Sequence, residues 1–125
     1  MLKFINTPMA PAAVGPYSQG VLAGNTLYVS GQIPFVAETM TVAGPDISLQ
    51  TRQSLFNIKA IVEQAGFQIT DIARCTVFMR NMNDFAIMNA EYQAFFKDHK
   101  PARAAVEVSR LPKDVLVEID AICIK

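Results

Sequence analysis

The 125-residue sequence has no tryptophan, one histidine and two cysteines, and its lysines plus arginines equal its aspartates plus glutamates at 11 each. Each scarcity excludes something. Zero net charge removes the electrostatic surplus that draws proteins to nucleic acid or to anionic membranes. A lone histidine, His99, leaves no histidine spacing for a metal site, and there is no phosphate-binding loop or glycine-rich dinucleotide fingerprint after a strand. Neither a metal nor a cofactor is expected. Cys75 and Cys123 both lie in apolar runs, without the dense spacing of a disulfide scaffold or zinc site, and read as buried free thiols. No apolar run approaches the ~20 residues of a membrane span, and Met1-Leu2-Lys3-Phe4-Ile5-Asn6 offers neither a signal h-region nor an arginine-rich leader. A cytoplasmic protein without a membrane partner is expected.

What the chain does have is apolar surface, 51% hydrophobic residues against 18% charged. The length suits one domain over residues 1–125, and the apolar excess suits an oligomer interface. After a short apolar start, Pro8 to Ser18 carries Pro8, Pro11, Gly15 and Pro16 and reads as an ordered loop. Gly20–Ala23 and Thr26–Ser30 flank Gly24-Asn25, a two-residue hairpin signal, and Pro34 stops the second strand. Leu55, Ile58, Val62 and Ala65 form a helical stripe between a cap at Asp46 or Ser48 and a stop at Gly66. Ile72 to Met79 predicts a strand buried on much of both faces. A second helix from Asn83 or Asp84 carries Phe85, Met88, Tyr92, Phe95 and Phe96 on one side and reaches His99 before Pro101 ends it. Ala104–Ser109 and Leu116–Ile124 read as two further strands joined by the turn Leu111-Pro112-Lys113-Asp114. The order β-β-β-α-β-α-β-β predicts an α+β fold, one mixed sheet with two helices on one face and the other face left to be covered.

Three placements could carry chemistry. Arg103 sits among small and apolar residues straight after Pro101-Ala102, where a guanidinium can clamp a carboxylate or can pair with a nearby acid at a sheet edge. Glu118 shares a strand face with Leu116, Asp120, Ile122 and Ile124, so its carboxylate needs a partner or a purpose. If the two lie on neighbouring strands of one hairpin, a buried ion pair accounts for both. Tyr17 and Ser30, with Gln19 and Gln32 close by, could line a pocket or satisfy loop backbone groups. His99 reads as a structural residue at a helix C-terminus, since no orienting partner for general-base work is evident.

Gly15-Pro16-Tyr17-Ser18-Gln19, Leu27-Tyr28-Val29-Ser30-Gly31-Gln32-Ile33-Pro34 and the stretch from Pro101-Ala102-Arg103 through Leu111-Pro112-Lys113-Asp114 to Val117-Glu118-Ile119 together resemble the Rid (YjgF-like) family of reactive intermediate or imine deaminases. Asn57 to Gly66, Thr76-Val77-Phe78, Asn83-Asp84-Phe85 and Asn89-Ala90-Glu91-Tyr92 extend the resemblance over nearly the whole chain. The resemblance implies a chorismate-mutase-like α+β fold, a homotrimer with a central barrel, and active sites in the clefts between subunits. It implies a cofactor-free hydrolysis of 2-aminoacrylate or 2-iminobutyrate, released by pyridoxal-phosphate dehydratases, to the 2-keto acid and ammonia. By position, Arg103 matches the carboxylate-binding arginine, Glu118 the glutamate that positions water, and Tyr17, Ser30, Gly31 and Asn89 the pocket lining.

The chain departs from the family pattern at Ala105, where RidA-type members commonly carry a cysteine two residues after the arginine. It departs again at the short connection Lys97-Asp98-His99-Lys100, tighter than in many relatives, with consequences expected for the interface rim and substrate range. Glu38-Thr39-Met40 lacks a Thr-Gly turn, which reads as loop variation. Some members of the family it resembles are described as small-metabolite sensors, translation inhibitors or ribonucleases. Balanced charge, and aromatics spaced as core rather than as a stacking platform, argue against RNA. A sensor binding a 2-keto acid through Arg103 remains the rival expectation.

Overall fold

The computed structural model describes residues 1–125. Strands β1 (Leu2–Ile5), β2 (Gly20–Ala23), β3 (Thr26–Gln32), β6 (Ile72–Met79), β7 (Ala102–Glu107) and β8 (Val117–Ile124) form one mixed sheet, and β4 (Phe35–Val36) and β5 (Thr41–Val42) a separate small ribbon. Helices α1 (Ile47–Gln64) and α2 (Phe85–Phe96) complete the fold. The expected order is present, with the β4–β5 ribbon added after Pro34.

Helix α1 begins where its capping chemistry says it should. Asp46 is extended and its side chain accepts a 2.8 Å bond from the Leu49 backbone N–H; Gly66, at φ +85°, takes the left-handed conformation that ends the helix cheaply. Leu55, Ile58, Ile61 and Val62 are fully buried, each contributing about 2 kcal/mol by removal from water. Met88, Tyr92 and Phe96 of α2 join them, as do Leu27, Val29, Cys75, Val77, Met79, Val117, Ile119, Ala121 and Cys123 from one face of the sheet. Both helices therefore lie on that face.

The opposite face carries no layer. Phe4, Tyr28, Val106 and Ile124 stand 69%, 51%, 42% and 49% exposed on it, an apolar surface of the kind that marks an interaction site. The expectation that β6 is buried on much of both faces is corrected here: Ile72, Cys75, Val77 and Met79 are buried, while on the alternate side Arg74 is exposed and Thr76 and Phe78 are half-buried.

A second correction concerns the C-terminal strands. β7 and β8 are not a hairpin. β6, α2 and β7 form a crossover unit with β7 parallel to β6, and β8 inserts between β3 and β6, antiparallel to both, in the order β1-β2-β3-β8-β6-β7. The turn composition of Leu111–Asp114 allows a hairpin, but the helical crossover makes β7 pair parallel at the edge, and the following strand enters the sheet interior.

Candidate functional site

Arg103 lies opposite Cys75 in the β6–β7 register, so its side chain points to the helical face. There its Nη1 donates a 2.7 Å hydrogen bond to Asn89 Oδ1, and its Cζ sits 4.7 Å from the Tyr92 ring centre and 5.5 Å from that of Phe85. Two aromatic faces and one amide hold the guanidinium. No carboxylate pairs with it among the three ion pairs of the chain. A guanidinium has five N–H donors, so a fixed fork remains for a carboxylate ligand. The cavity in front of it, ≈ 420 Å³, is lined among others by Asn89, Lys97, His99 and Lys100, a size suited to a small metabolite.

Beneath this platform the Cys75 thiol is sealed beside Tyr92, and burial pushes it up to about 11. Cys123 is likewise buried and pushed up to about 12. Neither is a nucleophile at neutral pH. Ala105 follows Arg103 on the same face of β7, packed against the core.

Glu118 occupies a different place. Val29 pairs with Ala121 and Gln32 with Ile119, so Ser30 and Gly31 together face Asp120 alone, a β-bulge at the end of β3. The Glu118 carboxylate fills the space the bulge opens. A Cβ on Gly31 would overlap Glu118 Oε2 and lie 3.0 Å from its Cδ, so only glycine admits the carboxylate here. Burial first, and the neighbouring Asp120 charge second, raise the Glu118 pKa above the usual carboxylate range. Tyr17, Ser30, Gly31, Ile33, Pro112 and Glu118 line an open cavity of ≈ 460 Å³. The Ser30 hydroxyl donates 2.6 Å to the Ser18 carbonyl, fixing the loop that carries Tyr17. Gln19 proves to be a loop organiser: its amide donates to the Thr7, Ala10 and Pro11 carbonyls and accepts from Thr7 N–H at 2.7 Å.

The sequence-predicted residues thus fall into two sets that one chain does not bring together. Arg103 and Asn89 stand on the helical face; Tyr17, Ser30, Gly31 and Glu118 stand around the bulge toward the open face. Arg103 and Glu118 are two strands apart, about 10 Å across the sheet, and about 10 Å along it. The ion pair that a shared hairpin would have allowed is therefore excluded within the chain. His99 is also relocated: α2 ends at Phe96, and the His99 ring bonds the Ile72 carbonyl at 2.7 Å, pinning the following loop to the start of β6. Lys97 and Lys100 were not foreseen as lining residues; their crowding into a four-residue loop before Pro101 was the available signal. No group of three or more His, Cys, Asp or Glu side chains converges to hold a metal ion, and no helix is long and apolar enough to cross a membrane.

One helical layer on a mixed sheet, a bare opposite face and two open cavities define the class: a small α+β domain with its cavities open at the surface. The chain belongs to the family described as endoribonuclease L-PSP, the YjgF/Rid family, whose model matches residues 7–125. It is 55% identical over 128 residues to a 2-iminobutanoate/2-iminopropanoate deaminase of Salmonella typhimurium, covering 100% of this chain and 99% of that protein. A RutC family protein of Pyrococcus horikoshii is 54% identical over 125 residues, covering 100% and 99%. The crystal structure of Escherichia coli TdcF with bound serine superposes with a TM-score of 0.95 at 47% identity, covering 98% of each chain.

Proposed function

We propose that this protein is a cofactor-independent 2-imino acid deaminase, hydrolysing 2-aminoacrylate and 2-iminobutanoate to 2-keto acids and ammonia. The observation that carries the reading is Arg103: a guanidinium already oriented by Asn89, Tyr92 and Phe85, with no acidic partner of its own. The 55% identical deaminase supports the reaction, and the serine held by TdcF supports a ligand bearing an α-carboxylate.

Arg103 takes the substrate carboxylate as a bidentate pair. 2-Aminoacrylate reacts as its imine tautomer. Glu118 accepts a proton from a water aligned on the C=N carbon, the water oxygen bonds to that carbon, and Glu118 passes the proton to the nitrogen. The carbinolamine collapses to C=O as its hydroxyl proton also moves to the nitrogen, which departs as ammonia. The raised pKa of Glu118 brings a carboxylate closer to the pH at which proton transfer is efficient. Tyr17, Ser30 and Gly31 shape the wall beside Glu118, and Ala105 leaves room where a larger side chain would project.

Since Arg103 and Glu118 face opposite ways, a complete site takes one set from each of two copies, in a homotrimer whose bare sheet faces meet in a central barrel. The enzyme works in the cytoplasm as a single-domain unit beside the pyridoxal-phosphate dehydratases that release these imines. Seven of its residues make the site: Arg103, Glu118, Tyr17, Ser30, Gly31, Asn89 and Ala105.

The test is a threonine dehydratase reaction with semicarbazide competing for the imine. The protein is expected to raise 2-ketobutyrate release and lower semicarbazone; Arg103→Ala is expected to abolish the effect, and an unchanged rate in that variant sinks the clamp. Glu118→Gln should lose turnover. If the wild-type protein binds 2-ketobutyrate without accelerating its formation, it is a sensor instead.

A further inference from the structure

We propose that the Arg103 pocket prefers substrates with a second carboxylate, the 2-imino dicarboxylates, and that Lys97 and Lys100 meet that second charge; the inference rests on the deaminase reading above. The cavity lining holds three cations, Lys97, Lys100 and Arg103, and no aspartate or glutamate. In a chain with 11 basic and 11 acidic residues this is a local excess. None of the three is used in an ion pair within the chain. Asp98, the one acid of the connecting loop, is exposed and does not line the cavity.

The charge count decides against a monocarboxylate as the best-matched ligand. One α-carboxylate and the Glu118 carboxylate of a second copy neutralise two of the three cations. A second substrate carboxylate neutralises the third through a charge-assisted hydrogen bond at the exposed rim of the cavity, where salt screens it.

The backbone adds an independent observation. Lys97 adopts φ 57° and ψ −117°, a conformation that favours glycine, and here a lysine holds it at the rim of a cavity. Strain of this kind gathers at ligand sites. The loop that bears the two lysines is also fixed rather than loose: Lys97 N–H donates to the Gln93 carbonyl at 2.8 Å, His99 N–H to the Phe96 carbonyl at 3.0 Å, and the His99 ring is tied to Ile72. The backbone positions from which the ammonium groups reach are thereby set before an anion arrives.

The reaction is the same hydrolysis. Water oxygen becomes the new C=O oxygen, the C=N nitrogen leaves as ammonia, and the product is a 2-oxo dicarboxylate, with no oxidant or reductant consumed.

Imino acids made in place by an amino-acid oxidase from glutamate and from methionine are similar in length and differ by one charge. With semicarbazide as competitor, the glutamate-derived imine is expected to show about ten-fold higher kcat/KM at low ionic strength, an advantage that shrinks as salt is added. Lys97→Gln with Lys100→Gln should bring the ratio near one. Lys97→Gly, which suits the same backbone, should lower it part of the way. A wild-type ratio at or below one, or a ratio unchanged in the double variant, overturns the proposal while leaving turnover of the methionine-derived imine intact as evidence for the deaminase reading. If neither imine is turned over, the threonine dehydratase reaction decides that reading. Calorimetric affinities for 2-oxoglutarate and 4-methylthio-2-oxobutanoate then decide the charge preference by the same ratio and the same double variant.

Discussion

At the scale of single residues, Gly31 is the glycine that leaves least room for a side chain, because the Glu118 carboxylate packs against it. A methyl group at position 31 and the Glu118 carboxylate claim the same space, so Gly31→Ala is expected to displace the carboxylate and cut kcat by roughly 10–100-fold, in keeping with the cost of an ångström-scale misplacement. Thermal unfolding should change little, because position 31 is exposed and its φ is not left-handed; a large loss of stability with normal kcat would contradict the assignment. Glu118 also predicts a pH dependence. Its pKa is raised, so on acidification the base form is lost at a higher pH than for an ordinary glutamate, and the acidic limb of the kcat/KM profile should lie above about 4.3. Asp120→Asn removes the second of the two causes and leaves desolvation in place. The limb should move to lower pH without reaching the ordinary value, and a limb that stays or rises refutes the coupling. An asparagine oxygen can still accept the 2.9 Å bond from Thr76 N–H that Asp120 now receives. Arg103 and Glu118 were legible in the sequence as charges in apolar strands; what was not legible was that they turn away from each other, because side-chain direction depends on strand pairing and on a bulge that no local pattern announced.

Among the elements, both helices and most strands could be read from periodicity and caps. α1 runs between its expected signals, and Asp46 rather than Ser48 is the cap: the Ser48 hydroxyl instead donates 2.7 Å to Glu91 on α2. That carboxylate also takes Arg52, which with Ser48 holds its pKa below the ordinary value. Asp46→Ala should therefore lower stability by about 1 kcal/mol in chemical denaturation, whereas Ser48→Ala should leave the helix start intact. Leu111-Pro112-Lys113-Asp114 has turn composition and flanking strand runs, yet the two strands it joins do not pair. Whether two consecutive strands pair is settled by what already occupies the edge, and α2 had delivered β7 to the outer side of β6. β6 was misjudged for a related reason: its apolar run is continuous, yet one side of it meets no partner in the same chain.

On the scale of the whole molecule, that bare side and the two separated sets of site residues lead to one prediction. If a site draws Arg103 from one copy and Glu118 from another, mixing two inactive variants restores function. Arg103→Ala and Glu118→Gln, unfolded together in equal amounts and refolded, should recover about a quarter of wild-type turnover, since that share of interfaces in a randomly mixed ring joins an intact residue from each side. Either variant refolded alone should stay inactive, and no recovery on mixing would overturn the pairing of Arg103 with Glu118 in one shared site. A change of a bare-face residue such as Ile122→Glu should convert the assembly to monomers in light scattering and abolish turnover while the fold survives.

The two cysteines give the protein a property unrelated to its chemistry. Both thiols lie in the core, beneath helices, with their ionisation suppressed by burial, and the surface has none. An alkylating reagent added to the native protein can react only after the core opens. The labelling rate is thus a clock for rare opening events, set by the equilibrium between closed and open forms when reclosing outpaces the reagent, and it can be read in crude extract by mass alone.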